Sequence, residues 1–288
     1  MSRQGPDSNS LPEPFVVNPT STHTHTFILL HGLGSNGEKF GRELLETGVT
    51  SRGSTLKQIF PYAKFIFPTS RRRRSSAFGR SMLTQWFDIA RLPDPAYRKE
   101  LQLQGLAEST QDILEILRYE MDINKIPPCN IFLGGLSQGC AMSLSILLAL
   151  DHDVGGFIGM SGYLPYREDI DEAVTDVIVD DDDPFSTETS ADDCEDPCVR
   201  ATVFERDLLC LPPLVRCGPE NTAHSTPIFL GHGEEDEKVP CSLGQAMAAT
   251  LKKAGYPVQL KIYSGLGHWY KIPEEIDDIV GFIESTMG

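Results

Sequence analysis

Six short runs of the chain are apolar and rich in β-branched or aromatic residues: Phe27–Leu30, Phe65–Phe67, Ile131–Leu133, Phe157–Met160, Ile228–Leu230 and Val258–Tyr263. Gly, Pro or Ser bounds each one, and in most of them successive residues, not alternate ones, are apolar. That pattern predicts strands buried on both faces, as in a parallel sheet covered by helices. Between the runs the period lengthens. Leu106, Ile113, Leu114, Leu117 and Met121 form one helical stripe, and Met142, Leu144, Leu147 and Leu148 lie in a helix that opens just after Ser137. Leu243, Met247 and Leu251 belong to a helix ending at Gly255, a natural C-cap. The last helix carries Pro273 in its first turn, Glu274 and Glu275 where the macrodipole favours anions, and an apolar face of Ile276, Ile279, Val280 and Ile283. Strands alternating with helices predict an α/β fold with an open, mostly parallel, doubly wound sheet in a single domain.

The pattern fails in two places. Residues 1–22 read as a polar N-terminal extension, leaving 23–288 as the folded domain. From about 167 to 224 the chain carries a run of acids, including Asp180–Asp183, and a stretch rich in Pro and Cys. Compact domains rarely need so long a connection, so an acidic, partly disordered insertion is expected there.

Charge sharpens this picture. Of a net −16 over 288 residues, fourteen acids with no Lys or Arg fall between Glu168 and Cys198, which leaves the remainder near −2. So acidic a chain argues against a nucleic-acid partner, because phosphate binding needs a basic surface. The first residues lack the apolar core of a signal peptide, and no later run reaches membrane-spanning length. A cytoplasmic protein, or one shared with the nucleus, is expected, with at most transient contact at a membrane surface. Seven cysteines with no C-x-x-C pair suggest reduced thiols. Cys194, Cys198, Cys210 and Cys217 have spacings that fit no familiar zinc module.

Chemistry enters at Gly135-Leu136-Ser137-Gln138-Gly139, a G-x-S-x-G pentapeptide. Alone it is common enough to arise by chance, but here it joins a strand to a helix, where a sharp turn lifts a serine hydroxyl clear of the sheet. Such a serine needs a base, and the base an orienting carboxylate. Seven histidines compete. His268 follows the last strand on a glycine-rich loop and can reach across the sheet edge, which makes it the candidate base. His23 and His25 alternate with threonines, His152 and His224 lie in polar loops, and His31 and His232 close strands and read as loop braces. Glu234, Glu235, Asp236 and Glu237 all stand past a strand end, and spacing alone does not choose among them. Asp277 and Asp278 read as solvated positions on the last helix. The order serine, acid, histidine is that of α/β-hydrolases. Backbone N–H groups of Gln138, after the nucleophile, and of Leu33, in the loop His31-Gly32-Leu33-Gly34, are candidates for an oxyanion hole.

With these stations in place, the chain resembles the phospholipase/carboxylesterase family of small serine hydrolases, and within it the acyl-protein thioesterases. The matching motifs are HGLGSNG at His31–Gly37, FPT at Phe67–Thr69, WFDI at Trp86–Ile89, GGLSQGCAMSL at Gly134–Leu144, MSGYLP at Met160–Pro165, GHGEEDEKVP at Gly231–Pro240 and GLGH at Gly265–His268. The resemblance implies an α/β-hydrolase fold and the triad Ser137, Asp236 and His268, with Asp236 chosen because it stands four residues after His232. It implies oxyanion donors at Leu33 and Gln138, and Trp86 and Tyr163 lining or supporting the acyl site. It also implies hydrolysis of thioesters of acylated cysteines, or of oxygen esters such as lysophospholipids and aryl esters, without metal or cofactor. The alternatives are a general carboxylesterase or lysophospholipase and, from another class, a binding module on a hydrolase scaffold.

Three features depart from the family pattern: the run Ser70–Ser76 with Arg71–Arg74, Cys140 in place of a common glycine, and the acidic insertion. The arginines read as a solvated loop, a nuclear-import signal or a clamp for anionic head groups. They are also expected to attract the acidic insertion across the entrance, tuning access.

Overall fold

The computed structural model describes residues 12–175 and 196–287. The chain runs through β1 (Phe15–Val17), β2 (His25–Leu30), α1 (Gly37–Thr47), α2 (Leu56–Ile59), β3 (Ala63–Phe67), β4 (Arg72–Ser75), β5 (Ser81–Thr84), α3 (Leu103–Arg118) and β6 (Ile131–Leu136). It continues with α4 (Gln138–Ala149), β7 (Gly156–Met160), α5 (Arg167–Val174), α6 (Pro197–Leu208), β8 (Ile228–Gly233), α7 (Cys241–Lys253), β9 (Val258–Tyr263) and α8 (Glu274–Thr286). Seven strands form one sheet in the order β1-β3-β2-β6-β7-β8-β9, and every pairing is parallel except the antiparallel β1–β3 at the edge.

The six apolar runs are the six parallel strands, and their double-sided character has a direct cause. Phe27, Phe65, Phe67, Phe132 and Phe229 point into the layer shared with α1 and α8. Ile28, Leu30, Ile66, Leu133, Phe157 and Leu230 point into the opposite layer, shared with α3, α4, α6 and α7. On the first face Phe27 stacks between Phe65 and Phe132, with centroids 5.0 and 4.7 Å apart, a cross-strand ladder through the centre of the sheet. Helix α4 is buried on all sides. Its small residues Gly139, Cys140, Ala141 and Ser143 let it sit tightly on the sheet, directly behind the serine turn.

Two elements escape the apolar pattern. Strand β1 lies within the first 22 residues. The arginine run is no free loop, because β4 pairs with β5 as a two-stranded ribbon. Arg71 forks onto Asp112 at 2.9 and 2.7 Å, and Arg73 meets Glu108 at 2.6 Å. Both acids are on α3; the attraction expected between these arginines and the acidic insertion falls largely on residues 176–195, which lie outside the described residues. Of the segment 167–224, α5 and α6 are helices packed on α7 and α4, while 176–195, including Asp180–Asp183 and Cys194, lies outside the described residues. Asp277 and Asp278 are not merely solvated: Asp277 accepts the Ser51 N–H at 3.0 Å, and Asp278 accepts the Tyr263 hydroxyl at 2.8 Å. Among the described residues no helix is long and apolar enough to cross a membrane.

Candidate active site

In a parallel sheet the loops after the strand C-termini gather on one edge, where open α/β folds build their sites. Ser137 leaves β6 there, on the turn into α4. Its backbone is held at φ 56° and ψ −120°, a region costly for a residue with a Cβ. The flanking glycines make that turn possible. A Cβ on Gly139 would stand 2.1 Å from the Leu30 carbonyl oxygen, and one on Gly135 would stand 2.5 Å from the same atom. Residues 135 and 139 therefore lie against the backbone of β2, and the serine between them is turned outward. The Ser137 N–H donates to Met160 O at 2.8 Å, which ties the turn to β7.

Three side chains far apart in sequence then meet. His268 Nε2 lies 2.9 Å from Ser137 Oγ, and His268 Nδ1 lies 2.7 Å from Asp236 Oδ2. Asp236 is the acid of its loop that turns inward, while Glu234, Glu235 and Glu237 are exposed. Its Oδ1 accepts the N–H groups of Lys238 and Val239, both at 2.9 Å, and His232 Nε2 stands 3.4 Å from Oδ2. Burial alone would raise the Asp236 carboxyl. Hydrogen bonds from His232, His268 and the Val239 N–H more than reverse this and hold it well below the ordinary carboxylate range. An ionised acceptor there requires His268 to carry its proton on Nδ1, leaving Nε2 to accept from the serine. The remaining histidines are engaged elsewhere: His23 on Thr26, His25 on Thr24, His152 on Asp151 and His224 on Thr222. His232 donates from Nε2 to Val239 O at 2.9 Å and so braces the acid loop.

The loop after β2 completes the edge. Gly32 packs on Ser137, with an ideal Cβ 3.4 Å from the serine Cβ. Among the described residues, the backbone N–H groups of Leu33 and Gln138 have no hydrogen-bond partner. The Gln138 side chain is clamped, accepting the Trp86 N–H at 3.0 Å and donating to Phe87 O at 2.8 Å, so the first turn of α4 cannot swing. Trp86 is fully buried and donates its indole N–H to His31 O at 2.8 Å.

A cavity of about 890 Å³ opens over Ser137 and His268, walled by Leu33, Phe40, Phe78, Leu83, Leu92, Leu136 and Trp269, with Lys39, Glu43 and Lys238 also on its surface. Trp86 does not line this cavity; it packs on His31, with ring centroids 5.0 Å apart. Tyr163 lies elsewhere, fully buried beside Cys140 and lining a separate 180 Å³ pocket with Lys99 and Tyr166. Phe78, Leu83 and Leu92 were not foreseen; they come from the segment around the β4–β5 ribbon, which has no period to read. Trp269, next to His268, was the one available signal. Cys140 fits because the strand and loop opposite are glycines: Cβ atoms on Gly159 and Gly162 would stand 2.7 and 2.3 Å from its sulfur. Burial pushes this thiol up to about 12, so it remains protonated and unreactive. Among the described residues, no group of three or more His, Cys, Asp or Glu is arranged to hold a metal ion.

The chain has relatives. A family model described as phospholipase/carboxylesterase matches residues 11–181 and 208–287, most of the chain. The chain belongs to the phospholipase/carboxylesterase family. It is similar to acyl-protein thioesterase 1 of Gibberella zeae, with 29% identity over 277 residues that cover 95% of each chain, and to acyl-protein thioesterase 1 of Saccharomyces cerevisiae, with 26% identity over 91% of this chain and 92% of the relative. Among solved structures, acyl-protein thioesterase 2 of Zea mays superposes with a TM-score of 0.63 at 25% identity, covering 96% of this chain and 99% of that one. SOBER1 of Arabidopsis thaliana shares the fold at a TM-score of 0.65 and 22% identity, over 92% and 100% of the two chains. As a member of the phospholipase/carboxylesterase family the protein is a serine-type ester hydrolase with an α/β-hydrolase fold.

Proposed function

We propose that the protein releases long acyl chains from S-acylated cysteines of proteins, with Ser137 as nucleophile, His268 as general base and acid, and Asp236 as the carboxylate that orients His268. One observation carries this reading: the unbroken row from Ser137 Oγ through His268 to Asp236, at 2.9 and 2.7 Å, on the floor of a mainly apolar cavity. Ser137 Oγ attacks the acyl carbonyl while His268 Nε2 takes the hydroxyl proton. The N–H groups of Leu33 and Gln138 hold the oxyanion. As the tetrahedral intermediate collapses, the carbon–sulfur bond breaks and His268 returns the proton to the leaving thiolate. Water, deprotonated by His268, then attacks the acyl-enzyme and frees the fatty acid and Ser137. Asp236 stays ionised throughout and stabilises the imidazolium. Apolar walls suit a hydrocarbon chain, at about 0.8 kcal/mol for each methylene taken out of water. The thioesterase names of the similar proteins support the choice of substrate.

A second reading, hydrolysis of lysophospholipids, is favoured by Lys39 and Lys238. Both reach the cavity surface, and neither has an ion-pair partner among the described residues, so an anionic head group could be met there. Turnover of a long-chain S-acyl-cysteine peptide compared with a lysophospholipid of equal chain length separates the two. The thioester is expected to have the higher kcat/KM, and Ser137→Ala to abolish both activities. Turnover of the lysolipid alone would overturn the thioesterase assignment.

A further inference from the structure

His31 contributes no atom to the cavity, yet it is fully buried and both its ring nitrogens are occupied. Nε2 faces the backbone N–H of Ser70 at 3.0 Å. A backbone N–H can only donate, so Nε2 must accept and the ring proton must lie on Nδ1. Nδ1–H in turn donates to Gly32 O at 2.7 Å. The tautomer is therefore dictated by the partners. Burial pushes the imidazole down to about 4, which keeps it neutral across the working range. The backbone of His31 is fixed as well, because its carbonyl accepts the Trp86 indole N–H and the two rings pack with centroids 5.0 Å apart.

The consequence lies one bond further on. Gly32 O is held by two donors, His31 Nδ1–H at 2.7 Å and the Ser35 N–H at 3.1 Å. A trans peptide is planar, and its C=O and N–H point in opposite directions. Pinning the Gly32 oxygen therefore aims the Leu33 N–H the other way, and Leu33, which lines the cavity with Ser137, has no partner for that N–H among the described residues. We propose that His31 is a positioning residue: its Nδ1–H bond to Gly32 holds the Gly32–Leu33 peptide in the orientation that presents the Leu33 N–H to the oxyanion. This rests on the reading of Leu33 as an oxyanion donor and of Ser137 as the nucleophile. A peptide locked before substrate arrives does not have to reorganise as charge develops, which is where such donors gain their effect.

Two substitutions divide the ring's bonds between them. In His31→Asn the side-chain amide N–H can replace Nδ1–H, keeping the bond to Gly32 while losing the one from Ser70. In His31→Gln the longer side chain can accept from Ser70 with its oxygen, while the bond to Gly32 is lost. Each gives up one hydrogen bond, so a merely structural role predicts similar losses of stability and activity. The positioning role predicts a split in aryl-ester kinetics: kcat of His31→Gln falls about 100-fold with KM nearly unchanged, and kcat of His31→Asn stays within about fivefold of the parent. Equal kcat in the two variants, or a loss confined to KM, would overturn the proposal. A measurement on the unsubstituted protein covers the case in which a variant fails to fold. In ¹⁵N-resolved NMR, His31 should show the neutral Nδ1–H tautomer, and phosphonylation of Ser137 should move the Leu33 amide proton downfield. A phosphonylated protein with an unmoved Leu33 amide would overturn Leu33 as an oxyanion donor and the role of His31 with it, an Nε2–H tautomer at His31 would overturn the positioning bond alone, and failure of Ser137 to react would instead overturn the assignment of the nucleophile.

Discussion

Replacing Asp236 by Asn tests the row at the residue whose size barely changes. Asp236 Oδ1 accepts two backbone N–H groups, from Lys238 and Val239, both at 2.9 Å. An asparagine must keep its oxygen there, because an NH2 group would meet two donors. Its amide N–H groups then occupy the place of Oδ2, 2.7 Å from His268 Nδ1. Nδ1 can only accept from them, so the imidazole proton moves to Nε2, which faces Ser137 Oγ at 2.9 Å. A protonated Nε2 cannot take the serine proton. An inverted tautomer of this kind costs about 10⁴ in kcat, or about 5 kcal/mol of transition-state stabilisation. KM should change little, since Asp236 does not line the cavity. Steady-state hydrolysis of an aryl ester, with thermal unfolding to show that the variant is folded, measures this. A folded Asp236→Asn enzyme within tenfold of the parent kcat would refute the reasoning that Asp236 sets the tautomer of His268.

Gly139→Ala places a Cβ 2.1 Å from the Leu30 carbonyl oxygen, a backbone atom that cannot step aside. The elbow must shift, with an expected loss of about 2 kcal/mol in unfolding free energy and of about 10² in kcat, read by denaturant unfolding and ester kinetics; an unchanged kcat would show that the turn has slack. Glu205, on α6, is fully buried with neither carboxyl oxygen in a well-formed hydrogen bond, and burial pushes it up to about 8 although the Ser145 hydroxyl pulls the other way. Between about pH 5 and 8 the unfolded chain has lost this proton and the folded chain has not, so stability falls as pH rises and levels off above about pH 8. Glu205→Gln removes that slope. Unfolding temperatures of the two proteins should differ little near pH 5, with the variant the more stable at pH 8.5, by at most about 5 kcal/mol; a gap independent of pH would contradict the assignment.

What the sequence disclosed follows from how each part is held. The six parallel strands were legible because both faces are buried, Phe27 and Phe65 toward one helical layer and Ile28 and Ile66 toward the other. The β4–β5 ribbon was not, because Arg72–Ser75 and Ser81–Thr84 form an outlying two-stranded pair held in part by charge pairs to α3, with no alternation of apolar and polar positions. Helices α5 and α6 were obscured by the acidic composition around them, although Ile170, Val174, Val199 and Ala201 are core positions. Ser137 and His268 could be named from local context, a strand-to-helix turn and a glycine-rich loop after the last strand. Asp236 could not be separated from its three neighbouring glutamates by spacing, since the distinction is tertiary: which carboxylate the loop folds inward, onto His232 and His268. The cavity walls were least legible. Phe78, Leu83 and Leu92 converge from an irregular segment, and only the folded chain brings them over the serine.

The central claim is that one hydroxyl, on Ser137, is activated by the imidazole beside it. Treating the folded protein with a serine-directed fluorophosphonate and mapping the adduct by peptide mass spectrometry tests this most directly. The account predicts one adduct per chain, on Ser137, formed in step with the loss of ester hydrolysis and absent from Ser137→Ala. An adduct on another residue, or labelling and turnover that persist in Ser137→Ala, would contradict it.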